Sequence, residues 1–372
     1  MRDSQHLSFL RRLFSGVDIT MLLALLALLT VGIITLYSAS NDMLWRVDRQ
    51  VVHIVLAFIG LFIAVIITQF FPSTFLQSAS IWFYLMGIFV LILVLLIGEE
   101  SKGAQRWLNI GIIRVQPSEV MKIIVPLMVA RYFADKPLPP RFIDLVWALL
   151  IVIVPVLLIA KQPDLGTALL VASAGLFGIF FTGVSWKWIV SSIISLLVAA
   201  PLLFFYGMHE YQRQRVMTLF DPSLDRYGSG YHILQSFISL GSGGINGKGW
   251  LHGDQVRLGF LPERHTDFIF AVIGEEYGLM GVVLILLLYL FIIYRGLYLA
   301  ACGRDTFARI LGGSFALTFF VYLFVNTGMV SGILPVVGVP MPLVSYGGTS
   351  LTSLMITFGL MMGLRKKARK YY

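Results

Sequence analysis

The run Leu261-Pro262-Glu263-Arg264-His265-Thr266-Asp267-Phe268 places two carboxylates, a guanidinium and an imidazole within five consecutive positions. An apolar run follows at once, so any chemistry here takes place where polar chain meets apolar chain. With Pro262 in the first turn of a helix, Glu263 and Asp267 stand four apart on one face, about 6 Å apart at Cβ, with Arg264 three before Asp267. Two readings are open. The group is a solvated helix start, or Asp267 is a general base for a substrate lying at a membrane surface. A sugar carried on a lipid pyrophosphate is such a substrate. Its reactive carbon stands at headgroup height, its tail needs an apolar groove between helices, and its diphosphate needs cations. Pyrophosphate leaves readily once its charge is neutralised, so the acceptor hydroxyl needs only one carboxylate base. That differs from the paired acid and base of most glycosidases. The chain supplies cations in Arg106, Lys122, Arg213, Arg215, Lys248 and Arg264.

Other chemistries fail on spacing. The glycine-rich run 241–249 suggests a phosphate loop, but Ser242 stands where a Walker A glycine belongs and Gly249 where Ser or Thr must follow Lys248. The dinucleotide fingerprint fails at Asn246. Histidines 209, 232, 252 and 265 lack ligand spacing, so no zinc site is expected. There is no serine-centred G-x-S-x-G. The single cysteine, Cys302, excludes an internal disulfide or a multi-cysteine cluster. Neither nucleotide, haem nor flavin is expected. The cofactor that a diphosphate substrate would recruit is Mg2+ or Mn2+, and no residue pattern assigns its ligands.

The elements that position these residues are read from composition. Hydrophobic residues make up 58% of the 372 and charged residues 13%, about half the charged share of a soluble domain. Apolar runs of about 20 residues predict a polytopic helical membrane protein, and their lack of alternation argues against a β-barrel. We place ten spans near 19–38, 50–69, 78–97, 117–134, 143–160, 164–182, 186–206, 268–295, 306–330 and 342–364. The first is too long for a typical cleaved signal peptide and is read as retained. One polytopic domain, 1–372, then contains one large loop, 207–267, between spans seven and eight. With the N-terminus inside, inner segments carry fifteen basic residues: Arg2, Arg11, Arg12, Arg131, Lys136, Arg141, Lys187, Arg295, Arg304, Arg309, Arg365, Lys366, Lys367, Arg369 and Lys370. Short outer loops carry six: Arg46, Arg49, Lys102, Arg106, Arg114 and Lys161. This predicts both termini in the cytoplasm and the large loop outside. The net charge of +9 is spent on these flanks, so nucleic acid is not an expected partner.

Polar groups inside spans face a cavity or each other. Glu119 and Lys122 share a helix face and form an ion pair, or Lys122 faces an anionic substrate. Of Glu275 and Glu276, one is expected to join helices in preference to a catalytic role. Asp164 in Gln162-Pro163-Asp164-Leu165-Gly166-Thr167 is expected to cap the sixth span. Residues 332–342 are apolar, yet Gly332, Pro335, Gly338, Pro340 and Pro342 forbid a regular helix. With Ser345-Tyr346-Gly347-Gly348-Thr349-Ser350 they form a re-entrant element lining a site, or a tight structural turn.

Several long motifs occur in order: Lys102-Gly103-Ala104-Gln105-Arg106-Trp107-Leu108, Gln116-Pro117-Ser118-Glu119, Tyr211-Gln212-Arg213-Gln214-Arg215-Val216, Gly247-Lys248-Gly249-Trp250-Leu251-His252-Gly253, residues 262–268 and Pro340-Met341-Pro342-Leu343-Val344-Ser345-Tyr346-Gly347-Gly348. On these, over nearly the whole chain, the sequence resembles the SEDS proteins (shape, elongation, division and sporulation). Arg264 and Trp250-Leu251-His252-Gly253 resemble the elongation branch of Gram-negative bacteria. The resemblance implies a peptidoglycan glycosyltransferase of the inner membrane, with its active site facing the periplasm. It would polymerise lipid II into β-1,4 glycan for rod shape, release undecaprenyl pyrophosphate and pair with a class B penicillin-binding protein. It makes Asp267 the catalytic residue and Trp107 a residue important for activity. The substrate-binding set expected with Trp107 is Arg106, Glu119, Lys122, Arg213, Arg215, Lys248, Glu263, Arg264, His265 and Ser345. A lipid II flippase and a non-enzymatic scaffold are the alternatives.

Overall fold

The computed structural model describes residues 16–40, 43–101, 104–110, 113–208, 210–225 and 228–366. Of the residues used above, Arg2, Arg11, Arg12, Lys102, Gly103, His209, Lys367, Arg369 and Lys370 lie outside them. Long apolar runs leave their backbone groups only each other to bond, and each closes into a helix. In order these are α1 (Ile19–Ser40), α2 (Trp45–Phe70), α3 (Ser73–Ile97), α4 (Pro117–Ala134), α5 (Phe142–Ala160), α6 (Leu165–Phe180) and α7 (Trp186–Leu202). The polar interval then folds as α8 (Glu210–Phe220), α9 (Ser229–Ser242) and α10 (Asp254–Arg257), and α11 (Ile269–Ala301), α12 (Thr306–Val330) and α13 (Gly348–Gly363) follow. Every expected span contains a helix. Six of them, α1, α2, α3, α5, α11 and α12, are long and apolar enough to cross a membrane, whereas α6, α7 and α13 are apolar but shorter.

Two helix ends depart from expectation at prolines. The last helix starts at Gly348, because Pro340 and Pro342 keep the preceding chain irregular. Helix α7 ends at Leu202, just after Pro201, and passes into a π-helical turn, Leu203–Gly207. The fold is also not purely α. Between α3 and α4, strands β1 (Glu99–Ser101), β2 (Ala104–Ile110) and β3 (Ile113–Val115) form an antiparallel sheet in that order. Ile110, Ile112, Ile113 and Val115, with Gly103 and Gly111 between the strands, carry that signal in the sequence.

Helix α12 is the hub, with 72% of its apolar window buried, whereas α3 at the edge has 17%. It packs on α11, α6 and α4, and α2 lies along α13 in the most extensive helix pair. Helix α7 buries none of its residues, and Trp188 near its start stacks on Phe142 of α5 with ring centroids 4.8 Å apart.

The two ends of the described chain meet at one end of the bundle. Buried Asp18 takes two bonds from Arg295 (3.0 and 2.7 Å) and one from Arg365 (2.9 Å), and caps α1 through Met21 N (2.9 Å). Burial alone would raise the Asp18 carboxyl. Hydrogen bonds from Arg295 and Met21, with the charges of Arg295 and Arg365, outweigh it and hold the group below its ordinary 3.8. A depressed carboxyl stabilises the fold above its unfolded-state pKa, and that contribution is lost as pH falls through the folded value. Asp18→Asn is expected to cost about 2–3 kcal/mol at neutral pH. The deficit should close below about pH 4, as read by thermal melting across pH. A deficit that persists in acid would refute the assignment.

Candidate active site

The expected helical face of Glu263 and Asp267 does not form. Residues 262–268 are a chain of turns and α11 begins only at Ile269. The reason is local: Glu263 has a φ of 49°, in the left-handed region, which a right-handed helix excludes. Its carbonyl accepts from Thr266 N at 3.0 Å and Phe268 N at 3.4 Å, and its carboxylate Oε2 from Thr266 Oγ1 at 3.1 Å. Asp267 is half-buried at the last turn before the helix.

Three consecutive carbonyls of this loop are each held by a different donor. Tyr346 N donates to His265 O at 2.9 Å, and Ser345 Oγ to Thr266 O at 2.5 Å. The buried Asn326 of α12 donates through Nδ2 to both Asp267 O and Val339 O, each at 2.8 Å. Ser345 Oγ also accepts from Met341 N at 2.8 Å. Gln50 of α2 grips the same segment, donating to Ser345 O at 3.3 Å and accepting from Gly347 N at 3.2 Å. The proline-rich stretch is therefore an irregular element buried against the loop, with Val339, Met341, Leu343 and Val344 nearly inaccessible. Where it passes Asp267 it has no side chain: a Cβ at Gly338 would stand 3.6 Å from Asp267 Oδ2. Ser345, expected to bind substrate, has its hydroxyl engaged by two backbone groups and instead holds the loop.

The expected cations are not pooled around Asp267. Arg264 Nε bonds Ala39 O at 2.8 Å, and His265 Nδ1 lies 3.3 Å from Arg46 Nη1. Trp107 sits half-buried on β2. Beside it, Arg106 bonds Pro163 O and lies 3.8 Å from Asp164 Oδ1, while Asp164 caps α6 by accepting from Thr167 N at 3.3 Å, as expected. That connector abuts the irregular element: a Cβ on Gly166 would stand 2.8 Å from Val337 O. Lys122 is not open to substrate. It is buried, pairs with Glu119 Oε1 at 2.6 Å and bonds the Tyr322 hydroxyl of α12, one helical turn before Asn326. Arg213 is bonded to Phe204 O (2.9 Å) and Phe205 O (2.5 Å), and Arg215 is half-buried on α8. Lys248 bridges Asp254 Oδ2 and Glu275 Oε1, each at 2.9 Å. The Glu275 hydrogen bond holds its ammonium above the usual value, and Lys248 in turn holds the Asp254 carboxyl below its own.

The glycine-rich run has a structural task. Helix α11 is broken at Gly278 (φ 63°, ψ −162°), and residues 243–249 are spliced into the break. Lys248 N and Gly249 N donate to the carbonyls of Glu275 (3.0 Å) and Glu276 (2.9 Å), while Leu279 N and Met280 N donate to Gly244 O (2.9 Å) and Ile245 O (3.1 Å). Helix hydrogen bonds lost at the break are remade with the loop. The adjacent glutamates both join elements, where one was expected to. Glu276 accepts from Ser38 of α1, and Glu275 from Gln255 N at 3.1 Å and Ser239 Oγ at 3.3 Å.

Sequence reasoning missed Asn326, Gln50, Arg46 and Gly338 as parts of the site. An amide inside an apolar span was the available signal for Asn326; Gly338 becomes meaningful only once Asp267 is beside it. Among the described residues no three His, Cys, Asp or Glu side chains stand together to hold a metal.

Residues 13–370 match the family of cell cycle proteins comprising FtsW, RodA and SpoVE. The peptidoglycan glycosyltransferase MrdB of Escherichia coli K12 is 51% identical over 348 residues, 94% of this chain and 93% of the relative. A solved structure of a peptidoglycan synthase complex, described as coordinating polymerization and crosslinking, superposes with a TM-score of 0.80 at 29% identity over 93% of this chain and 96% of that one. The crystal structure of the rod shape determining protein RodA of Thermus thermophilus does so with a TM-score of 0.69 at 26% identity, covering 93% and 95%. A half-buried aspartate, mounted on a proline-rich element that is buried from Val339 onward, thus stands in a fold and a sequence shared with these proteins over more than nine-tenths of the chain, and the chain belongs to the SEDS family.

Proposed function

We infer that the chain is a peptidoglycan glycosyltransferase that polymerises lipid II into β-1,4 glycan strands for cell elongation and rod shape. The observation that carries the mechanism is the mount of Asp267, a half-buried carboxylate whose backbone is fixed from two sides. Asp267 takes the proton from the 4-hydroxyl of the acceptor GlcNAc. That oxygen bonds to the anomeric carbon of the growing chain's terminal MurNAc, and the bond from that carbon to the phosphate oxygen breaks. Undecaprenyl pyrophosphate leaves as the anion, and the α-linked donor becomes a β-linked product. Arg264 and His265 stand on the same loop as the base, with Arg46 beside His265. Arg213, Arg215 and Lys248 would reach the diphosphate only by leaving their present contacts. A Mg2+ or Mn2+ ion, where used, would be carried mainly by the diphosphate oxygens.

The isoprenoid tail fits the cavity of about 530 Å3 lined by Val154, Leu157, Lys161 and Gln212, at the end of α5 that faces the periplasm in this topology. All ten apolar helices are read as crossings of the inner membrane, with both termini cytoplasmic and residues 207–267 in the periplasm. The excess of basic residues on the inner segments supports this, as does the meeting of Asp18 and Arg365 at one end of the bundle. A class B penicillin-binding protein is the proposed partner, as crosslinking must follow polymerisation.

Purified protein in liposomes with labelled lipid II, with and without chelator and partner, tests the function. Glycan polymer is the expected product. Transport of lipid II across the bilayer without polymer would establish the flippase instead.

A further inference from the structure

We propose that Asn326 and Ser345 are positioning residues for the reaction, acting through the backbone of residues 265–267. The proposal rests on Asp267 being the base. Neither side chain belongs to the loop it holds. Asn326 comes from the last turns of the hub helix, and Ser345 from the irregular element that follows it. Together they take the carbonyls directly before and at the base.

The geometry at Asn326 is specific to an amide. One Nδ2 spans two carbonyl oxygens, Asp267 O and Val339 O, at 2.8 Å each, and so ties the loop to the irregular element. The flipped amide would set Oδ1 against both carbonyls, so two acceptors fix its orientation. Its Oδ1 is buried without a partner, a cost that an apolar side chain at this helix position would avoid. What the amide secures is the spacing between Asp267 and Val339. Gly338, the residue before Val339, is the one whose bare backbone faces the Asp267 carboxylate. Ser345 makes the second tie, accepting from Met341 N while donating to Thr266 O. These bonds leave the Asp267 carboxylate itself untouched. They set where it points, and misplacing a reacting group by about 1 Å costs about 10²-fold in rate.

The test uses the full chain in liposomes with labelled lipid II. Asn326→Leu keeps size and removes the donors; Ser345→Ala removes the hydroxyl and Ser345→Thr keeps it. Expected is a fall in kcat of about 10- to 100-fold for Asn326→Leu and Ser345→Ala, with KM within about threefold of the parent. Ser345→Thr should recover at least about tenfold over Ser345→Ala. A folded Asn326→Leu protein with parental kcat, or a loss carried in KM, would overturn the proposal. Where melting shows that Asn326→Leu does not fold, the two Ser345 variants decide by the same criteria. Asp267→Asn is run alongside. Parental activity there would remove the base assignment itself, whereas an inactive Asp267→Asn with a fully active Asn326→Leu removes only the positioning role.

Discussion

Asp267→Asn is expected to reduce polymerisation of lipid II by about 10²- to 10⁴-fold in kcat while leaving the protein folded. Asparagine has the shape of aspartate but cannot take a proton from the acceptor hydroxyl. The fold is expected to persist, because Asn326 holds residue 267 through its carbonyl, which the substitution keeps. Asp267→Glu keeps the base but lengthens the side chain towards Gly338, whose backbone lies against the carboxylate. We expect it to retain only about 1% of parental activity, the cost of a displacement near 1 Å. Polymer formed by the purified variants is the measurement, and near-parental synthesis by Asp267→Asn would sink the base. In cells, rod shape maintained by Asp267→Asn would favour a scaffold, since a scaffold needs no proton acceptor.

Gly247→Ala should be the most damaging single-methyl change in the chain. Two effects coincide there. The φ of 77° is one an L side chain rarely adopts, and the added Cβ would stand 2.1 Å from Glu276 O and 2.5 Å from its carbonyl carbon. Both contacts are backbone, so no side chain can turn aside. Relief means withdrawing residues 243–249 from the break at Gly278, which unbonds the carbonyls of Glu275 and Glu276 and the amides of Leu279 and Met280. We expect a loss above about 4 kcal/mol, seen as failure to accumulate in the membrane or as early melting. Gly241→Ala is the control. It lies in α9 with nothing within 4 Å of an added Cβ, and should be neutral or stabilising by up to about 1 kcal/mol. Equal melting of the two variants would show that the splice does not stabilise the protein.

The sequence alone determined the class of the protein and the placing of its helices, because an apolar run of about 20 residues has one way to satisfy its backbone in lipid. It also singled out the Asp164 cap, the pairing of Glu119 with Lys122 and the irregularity of residues 332–342. These follow from neighbours in the chain or from what proline forbids. Asp267 was open on pattern alone, between helix start and base. The motifs of the SEDS family, not the periodicity, pointed to the base. The three-stranded sheet was legible in the alternation of glycines and β-branched residues after Gly98, but it is short and weakly patterned.

Tertiary structure decided the rest. The helical spacing of Glu263 and Asp267 was a local inference, and it yielded to a left-handed Glu263 and to a turn whose carbonyls at 265, 266 and 267 are held from afar by Tyr346, Ser345 and Asn326. The cations looked like a common pool for a diphosphate because sequence records charge but not partner. In the fold, Lys122 turns to Glu119 and Tyr322, Lys248 to Asp254 and Glu275, and Arg213 to backbone carbonyls. The glycines of 241–249 resembled a ligand loop because the constraint they answer, the backbone of a broken helix at Gly278, lies some 30 positions away (residue 247 to residue 278). What a residue is chemically could be read in order along the chain. What it touches depended on segments far apart in sequence, and contacts of that kind decide whether a serine faces a ligand or, like Ser345, ties one loop to another.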